Sequence, residues 1–279
     1  EKIKFYITGS SSKLLSKEYG TALTGRIYTN EIFPLSFEEF LIFKNKIKLF
    51  NFTGGRGAPA LRNQFMEYLK YGGFPRVVLS AKIQDKLQLL KDYYSSIIEK
   101  DIVQRYEVRD IKKIKEYYIN LVTNIAANFS GYRAEKTLDI SQPTANKFFA
   151  YAEEVFLIQE INMFDYSYLK QKANPGKIYV IDPGIYRAVS FRFSENLGRI
   201  FENLVFLEYR RKSKDIFYWK NKNEVDFLLR KGTKIEKAVN VCWELNEGNR
   251  EREIVGIQEA MKKFKLKKAE IITMGYSDE

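Results

Sequence analysis

The sequence predicts a mixed α/β protein that contains more than one domain. Its 279 residues exceed the size at which a single hydrophobic core usually stops growing. Residues 36–156 carry apolar side chains mostly at helical spacing, whereas residues 177–273 alternate strand patterns with two helical ones. This change of pattern indicates structural units of different kinds along the chain.

The first residues predict a strand, a turn, a helix and a second strand. Residues 2–7 form a strand-like run, and the small polar residues 8–12 suit a turn into a helix over 13–23. Gly25 can end that helix in the left-handed conformation, and residues 27–33 alternate as a strand. Because the sequence starts directly on a strand, we expect it to begin within a domain.

Short helices separated by glycine turns come next and predict a small helical lid. Ser36 with Glu39 three residues later matches a capping box at a helix start. Glycine-rich breaks lie at 54–59 and 72–75. From residue 84 to 106 the apolar side chains fall on one face of a long helix.

Residues 110–172 predict a winged helix-turn-helix. Helices are expected over about 114–129, near Glu135, and from an N-cap at Ser141 to about residue 156. An alternating hairpin over 158–168 would follow as the wing. Such modules bind DNA through the third helix, and some serve only as protein–protein modules.

The final third predicts an α/β unit. Its strands and helices are expected at 177–182, 198–211 (helix), 216–219, 225–229, 237–242, 250–264 (helix) and 269–273.

Composition limits the possible chemistry. Lys and Arg outnumber Asp and Glu by 47 to 35, which gives a net charge of +12 and favours binding to a polyanion such as DNA. A lysine-rich solvated surface is the alternative interpretation.

Histidine is absent, which excludes imidazole catalysis and histidine metal sites, and the single cysteine fits a reducing cytoplasm. No run approaches the roughly 18 apolar residues of a membrane span.

Eight segments, in order across nearly the whole chain, resemble one family of prokaryotic AAA+ ATPases. They are YITGSSS (6–12), LTGR (23–26), FPLSFEEF (33–40), GGFP (72–75), YVIDPG (179–184), FENLV (201–205), EVDF (224–227) and RERE (250–253). The resemblance implies ATP and magnesium as cofactors of the complete protein. It also implies four units: the end of an AAA+ nucleotide-binding domain (1–45), a helical lid (46–108), a winged helix (109–172) and a PD-(D/E)XK nuclease-like domain (173–279).

The chain departs from this family at the phosphate-binding loop. The pattern Gly-x-x-x-x-Gly-Lys-Ser/Thr is absent, and the one Gly-Lys pair, Gly176-Lys177, is followed by Ile178. The acidic pair of the magnesium-binding strand has no candidate before Thr8. We therefore expect a C-terminal part that binds nucleotide poorly by itself and works with an N-terminal ATPase half or neighbouring subunits.

The resemblance places ATPase roles on four residues. Thr8 and Ser10 would orient the attacking water, although both could simply cap the next helix. Arg26 would reach a neighbouring subunit's nucleotide as an arginine finger, or would be a cation at a helix C-terminus. Arg76, after the GGFP motif, would be a lid arginine near the γ-phosphate.

The winged-helix prediction also names residues that would contact DNA. The candidates are Gln142, Thr144, Asn146 and Lys147 on the third helix, and Lys170 and Lys172 at the end of the wing.

The nuclease-like unit retains part of the expected metal site. PD-(D/E)XK nucleases hold magnesium with a helix glutamate, a strand aspartate and a Glu-x-Lys strand, and Glu202 and Asp226 match the first two. Asn240 and Cys242 occupy the positions of the glutamate and the lysine, so charge and the water-activating amine are lost. We expect a degenerate, structural or DNA-gripping domain instead of an active nuclease.

Two further possibilities remain at this site. Glu224 or Glu244 could compensate for the lost glutamate. Alternatively, Arg250 or Arg252 could hold Glu202 and Asp226 in a buried ion network. The function predicted overall is an ATPase coupled to a DNA transaction, with a magnesium-dependent nuclease or a non-catalytic DNA- or protein-binding module as alternatives.

Overall fold

The structure is a computed structural model that describes residues 6, 8–10, 28–51, 58–190 and 196–274. The predicted helix over 13–23, Gly25 and Arg26 lie outside these residues. The described part is mixed α/β, as predicted, with helices and two sheets. None of the helices in this described part combines the length and the apolar character of a membrane span.

Helices predominate in the first half of the described chain, and most of the strands lie in the second half. The helices are α1 (Phe37–Phe43), α2 (Ala58–Tyr71), α3 (Pro75–Leu79), α4 (Ile83–Ser96), α5 (Ile111–Thr123), α6 (Gly131–Leu138), α7 (Gln142–Glu154), α8 (Tyr168–Ala173), α9 (Pro183–Val189), α10 (Leu197–Arg210) and α11 (Glu247–Phe264). The strands are β1 (Ala127–Asn128), β2 (Ile158–Ile161), β3 (Lys177–Val180), β4 (Ile216–Lys220), β5 (Glu224–Lys231), β6 (Lys234–Val241) and β7 (Glu270–Ile272). A 3-10 helix spans Ile47–Asn51, and a π-helical segment, Ile97–Gln104, continues α4.

The start of α1 confirms the predicted capping box. Ser36 Oγ accepts the Glu39 N–H at 3.2 Å, and the Ser36 N–H donates to Glu39 Oε2 at 2.7 Å. The strand predicted over 27–33 is wrong for its described residues, 28–33, which form no regular element. Alternation alone does not make a strand, because a strand needs a hydrogen-bonded neighbour. Just after this segment, the Leu35 N–H donates instead to the Gly73 carbonyl.

The middle of the chain combines helices with a small sheet. The elements run α5–β1–α6–α7–β2–α8–β3, and the antiparallel sheet has the order β1-β3-β2. Ile158 lies opposite Val180, and Ile161 lies opposite Lys177. The boundary predicted at residue 172 therefore falls between two strands that pair with each other.

The hairpin predicted over 158–168 is wrong. Strand β2 ends at Ile161, and its partner comes only at β3, after a turn and helix α8. Local hydrogen bonds interrupt the strand: Asp165 Oδ1 accepts the Ser167 N–H at 2.8 Å, and Gln171 Nε2 donates to the Asp165 carbonyl at 2.6 Å. Asp and Ser favour such turns over strand pairing.

The last third forms a four-stranded sheet in the order β4-β5-β6-β7. Strands β4, β5 and β6 pair antiparallel, and β7 joins β6 in parallel after the α11 crossover. The main hydrophobic core extends from Phe40 in α1 through Tyr118 in α5 to Phe206 in α10. A smaller core with Phe164 and Trp219 lies under α11. The helical, middle and C-terminal parts therefore share one core.

Asp182 connects the GGFP and DPG motifs. It caps α9, where Oδ1 accepts the Gly184 N–H at 2.7 Å, and its Oδ2 accepts the Gly73 N–H at 2.7 Å. Burial raises the pKa of Asp182 to about 7. Gly72 packs so closely on this carboxyl that an added Cβ would lie 1.7 Å from Oδ1. Two motifs separated by about a hundred residues thus form one buried contact.

Candidate functional site

A buried ion cluster lies where β3, β5 and α10 meet. Lys177 Nζ lies 3.0 Å from Glu202 Oε1 and 3.0 Å from Asp226 Oδ1. It lies 2.7 Å from Glu224 Oε1. The Lys177 side chain is only 4% exposed. We refer to Lys177, Glu202, Glu224 and Asp226 as the ion cluster.

The periodicity of the elements explains why these side chains meet. Glu224 and Asp226 are two residues apart in β5, so they point to the same face of the sheet. Glu202 lies in the stretch of α10 from Ile200 to Leu207, which is buried all round. Every residue of β3 is buried as well, so Lys177 has no route to solvent and meets the carboxylates instead.

Burial and mutual charge perturb the cluster. Burial, followed by the charge of Asp226, raises the pKa of Glu202 to about 7, although Lys177 and the Tyr179 hydroxyl oppose the shift. That hydroxyl donates to Glu202 Oε1 at 2.8 Å. Burial also disfavours the Lys177 ammonium, but Tyr179 and the three carboxylates outweigh it and raise the pKa of Lys177 well above its ordinary value. The lysine therefore stays charged at neutral pH.

Asn240 and Cys242 lie beside the ion cluster on β6 and its end. Asn240 Oδ1 accepts the Asp226 N–H at 3.2 Å, and its Nδ2 donates to Glu253 Oε2 at 2.8 Å. Cys242 is buried, and burial, followed by the charges of Glu253 and Asp226, raises the pKa of its thiol to about 11. Neither residue brings a positive charge or a nucleophile to the carboxylates.

The cation in the cluster is Lys177 and not one of the expected arginines. Arg252 pairs with Glu253 at 2.7 Å, and Arg250 is exposed. The prediction that Arg250 or Arg252 holds Glu202 and Asp226 is therefore wrong. The sequence patterns did not indicate Lys177 as a site residue, although a lysine inside an otherwise apolar strand was a signal for a buried partner.

Glu224 enters the cluster, as one of the two suggested compensating acids, whereas Glu244 is exposed. Among the described residues, no group of three or more Asp, Glu or Cys side chains is arranged to hold a metal ion. The ammonium of Lys177 occupies the space between the carboxylates where a cation would bind.

Raised acid pKa values predict that the protein loses stability as pH rises. Glu202 and Asp182 have pKa values of about 7 in the fold, against ordinary values of 4.5 and 3.8. Between these values the folded state binds more protons than the unfolded state, so the free energy of unfolding falls as pH increases. Urea unfolding at about pH 5 and about pH 8 should show this decrease. Glu202→Gln should make this decrease smaller, because the variant lacks one of the two carboxyl groups with a raised pKa. An equal decrease in the variant and the wild type would contradict the raised pKa of Glu202.

The predicted DNA-contacting residues lie around α7 and α8. Gln142, Asn146 and Lys147 are exposed on α7. Thr144 is half-buried, with its hydroxyl 2.9 Å from Ser141 Oγ. An open cavity of about 580 Å³ lies beside the N-terminal end of α7.

That cavity brings together Gln142, Asn146 and Lys172, while Lys170 is exposed on α8. Glu153 and Glu160 line it too. Burial, followed by the charge of Glu160, raises the pKa of Glu153 to about 7. Amides, a lysine and two carboxyls thus share one open surface.

The candidate ATPase residues Thr8, Ser10 and Arg76 lie at the surface of the described part of the chain. Ser10 Oγ donates to Asp101 Oδ1 at 2.8 Å, whereas Thr8 and Arg76 are exposed. Arg26 lies outside the described residues. Their roles stay predictions.

Comparison with known proteins links the start of the chain to ATPases. Residues 1–41 match a family model described as an AAA domain, and residues 62–196 match one described as a domain of unknown function (DUF8612). The first match indicates a relationship to AAA-type ATPases, which agrees with the resemblance found in the sequence. No solved structure matches the chain.

Two relatives are similar over nearly the whole chain. An uncharacterized protein of Methanocaldococcus jannaschii is 40% identical over 285 residues, which cover 98% of this chain and 63% of the relative. An uncharacterized protein of Haemophilus influenzae is 32% identical over 268 residues, which cover 92% of this chain and 64% of the relative. The chain thus spans less than two thirds of the length of both relatives.

Proposed function

We propose that the complete protein is an AAA-type ATPase and that this chain supplies its DNA-contacting C-terminal part. The match of residues 1–41 to an AAA domain carries the ATPase half of the proposal. In this proposal Thr8, Ser10, Arg26 and Arg76 serve the nucleotide, and ATP and magnesium bind with residues outside this chain. Magnesium-dependent phosphate release by the complete protein tests it, and no release would contradict it.

The DNA half of the proposal is supported by the arrangement of the middle unit. Three helices, α5, α6 and α7, precede the antiparallel pair β2 and β3, which is consistent with a winged helix. In such modules the N-terminal end of the third helix enters the major groove. Here that end presents Gln142 and Asn146 beside the open cavity. This exposed polar end of α7 is the observation that carries the proposal.

The chemistry of this surface suits contacts to both bases and phosphates. Asn and Gln amides pair with adenine, and carboxylates such as Glu153 and Glu160 accept from the amino group of cytosine. Lys147, Lys170 and Lys172 would meet the phosphates, which fix the position of the protein on the duplex.

Loss of two lysines is expected to weaken duplex binding and its salt dependence. Each phosphate contact contributes about 0.9 to the slope of log K against log salt, so Lys170→Ala with Lys172→Ala should reduce that slope by about two. Fluorescence anisotropy of a labelled duplex at several salt concentrations measures it. Lys262→Ala with Lys263→Ala, two lysines in the last turn of α11, is the control. Absence of salt-dependent binding by the wild-type chain would favour a protein partner.

For the C-terminal unit we propose a supporting or DNA-gripping role instead of nuclease activity. Glu202, Asp226 and Asn240 lie on a helix and two neighbouring strands, as the PD-(D/E)XK resemblance implies. Lys177 pairs with both carboxylates that would hold magnesium, which argues against metal-dependent cleavage. We expect plasmid DNA to stay intact with magnesium. Cleavage that Asp226→Ala abolishes would contradict this.

A further inference from the structure

The connection between β2 and β3 exposes large apolar side chains. We call residues 162–176 the tip segment. In it Tyr166 is 75% exposed, Tyr168 68% and Leu169 78%. Adjacent exposed apolar side chains of this size are typical of an interaction site.

The tip segment is held in place by the core beneath it. Phe164 is buried, and its ring lies at 78° to the Tyr166 ring with 5.3 Å between centroids. Phe164 also packs edge-on against Phe217 and Phe264. The bonds from Ser167 and Gln171 to Asp165 fix the turn before α8. A fixed exposed ring loses little entropy when a flat partner stacks on it.

The charge of the tip segment indicates an anionic partner. Lys170 and Lys172 lie in α8, which contains no acidic residue. Glu153 and Glu160 lie near Lys172 in the shared cavity, whereas Lys170 is exposed on α8. Exposed aromatic rings interleaved with lysines are suited to stacking bases and binding phosphates.

The aromatic rings also select the form of the nucleic acid. A tyrosine can stack only on a base whose face is free, which means an unpaired base or the end of a duplex. Lys172 lines the cavity that also contains Gln142 and Asn146 of α7. The tip segment is therefore continuous with the proposed duplex-contacting surface.

We propose that the tip segment binds unpaired nucleotides adjacent to the duplex that α7 contacts. This inference rests on the proposed DNA function and adds a preference for junctions between duplex and single strand. Tyr166 and Tyr168 stack on the bases, and Lys170 and Lys172 contact the phosphates of the same strand.

The test compares a blunt duplex with the same duplex carrying a single-stranded tail of about ten nucleotides, by anisotropy of the labelled DNA. The wild-type chain should bind the tailed DNA more tightly. Tyr166→Ala with Tyr168→Ala should weaken binding to tailed DNA at least about fivefold and blunt-duplex binding much less, because a blunt end offers one stacking face and no single strand. Tyr168→Phe should retain the preference because its ring still stacks. Tyr28→Ala, which removes a tyrosine that is 98% exposed outside this unit, should have no effect.

The outcomes separate this inference from the proposed function. If blunt DNA binds and depends on Lys172, but the double tyrosine variant keeps the preference for tailed DNA, the inference is overturned and the proposed function stands. If neither DNA binds at low salt, both are overturned. If the tip tyrosines are needed for binding to anionic lipid vesicles and no preference for tailed DNA exists, a membrane surface replaces the nucleotide as the partner.

Discussion

Lys177→Ala is expected to lower the free energy of unfolding by about 3–5 kcal/mol. The variant leaves Glu202, Asp226 and Glu224 close together without the ammonium that they share, and Glu202 and Asp226 are largely shielded from water. Removing one partner of a buried ion group costs far more than the group contributes, because the remaining charges stay desolvated. Urea unfolding followed by circular dichroism measures the change.

Two control variants show whether the loss of stability comes from the ion cluster or from the removal of any lysine. Lys234→Ala, at an exposed position at the start of β6, should change stability by less than about 0.5 kcal/mol. Adding Glu202→Gln to Lys177→Ala should recover part of the loss, since one fewer carboxylate needs a counter-charge. A Lys177→Ala variant as stable as wild type would mean that water reaches the carboxylates.

Patterns local in sequence predicted much of the fold. The capping box at Ser36, the helix start after Ser141 and the strands of the last sheet were all found from sequence within a few residues. These features depend on hydrogen bonds and side-chain periodicity within one element. Neighbouring residues therefore suffice to predict them.

The failures arose where a distant partner decides the structure. Residues 28–33 alternate like a strand but form no regular element. Strand β2 pairs with residues 177–180 and not with the segment that follows it directly. Strand pairing depends on which other segment is available, and the alternation of one segment does not contain that information.

At the candidate site, too, the sequence predicted some residues and missed another. The resemblance to PD-(D/E)XK proteins placed Glu202, Asp226 and Asn240 near one another, and the structure does bring them together. It did not predict Lys177, which comes from the sheet of the middle unit. The lysine expected in β6 is thus absent, while a lysine from another unit lies between the same carboxylates.

Gly72→Ala is expected to destabilise the protein by about 3 kcal/mol or more. Gly72 has φ of +74°, where a residue with a Cβ pays about 1–2 kcal/mol. The added Cβ would also lie 1.7 Å from Asp182 Oδ1, so the carboxyl must move. Movement breaks its bonds from Gly73 and Gly184, and a buried carboxyl without donors costs about a further 1–3 kcal/mol. Thermal and urea unfolding measure the loss.

Gly232→Ala is the matched control, because it separates backbone strain from the collision with Asp182. Gly232 has φ of +60°, yet an added Cβ there meets nothing within 4 Å. It should therefore show only the cost of the left-handed conformation, about 1–2 kcal/mol. The excess cost of Gly72→Ala then measures the contact that joins the GGFP motif to Asp182. Equal costs for the two variants would show that Asp182 can move freely, and that this contact does not hold the helical part against α9.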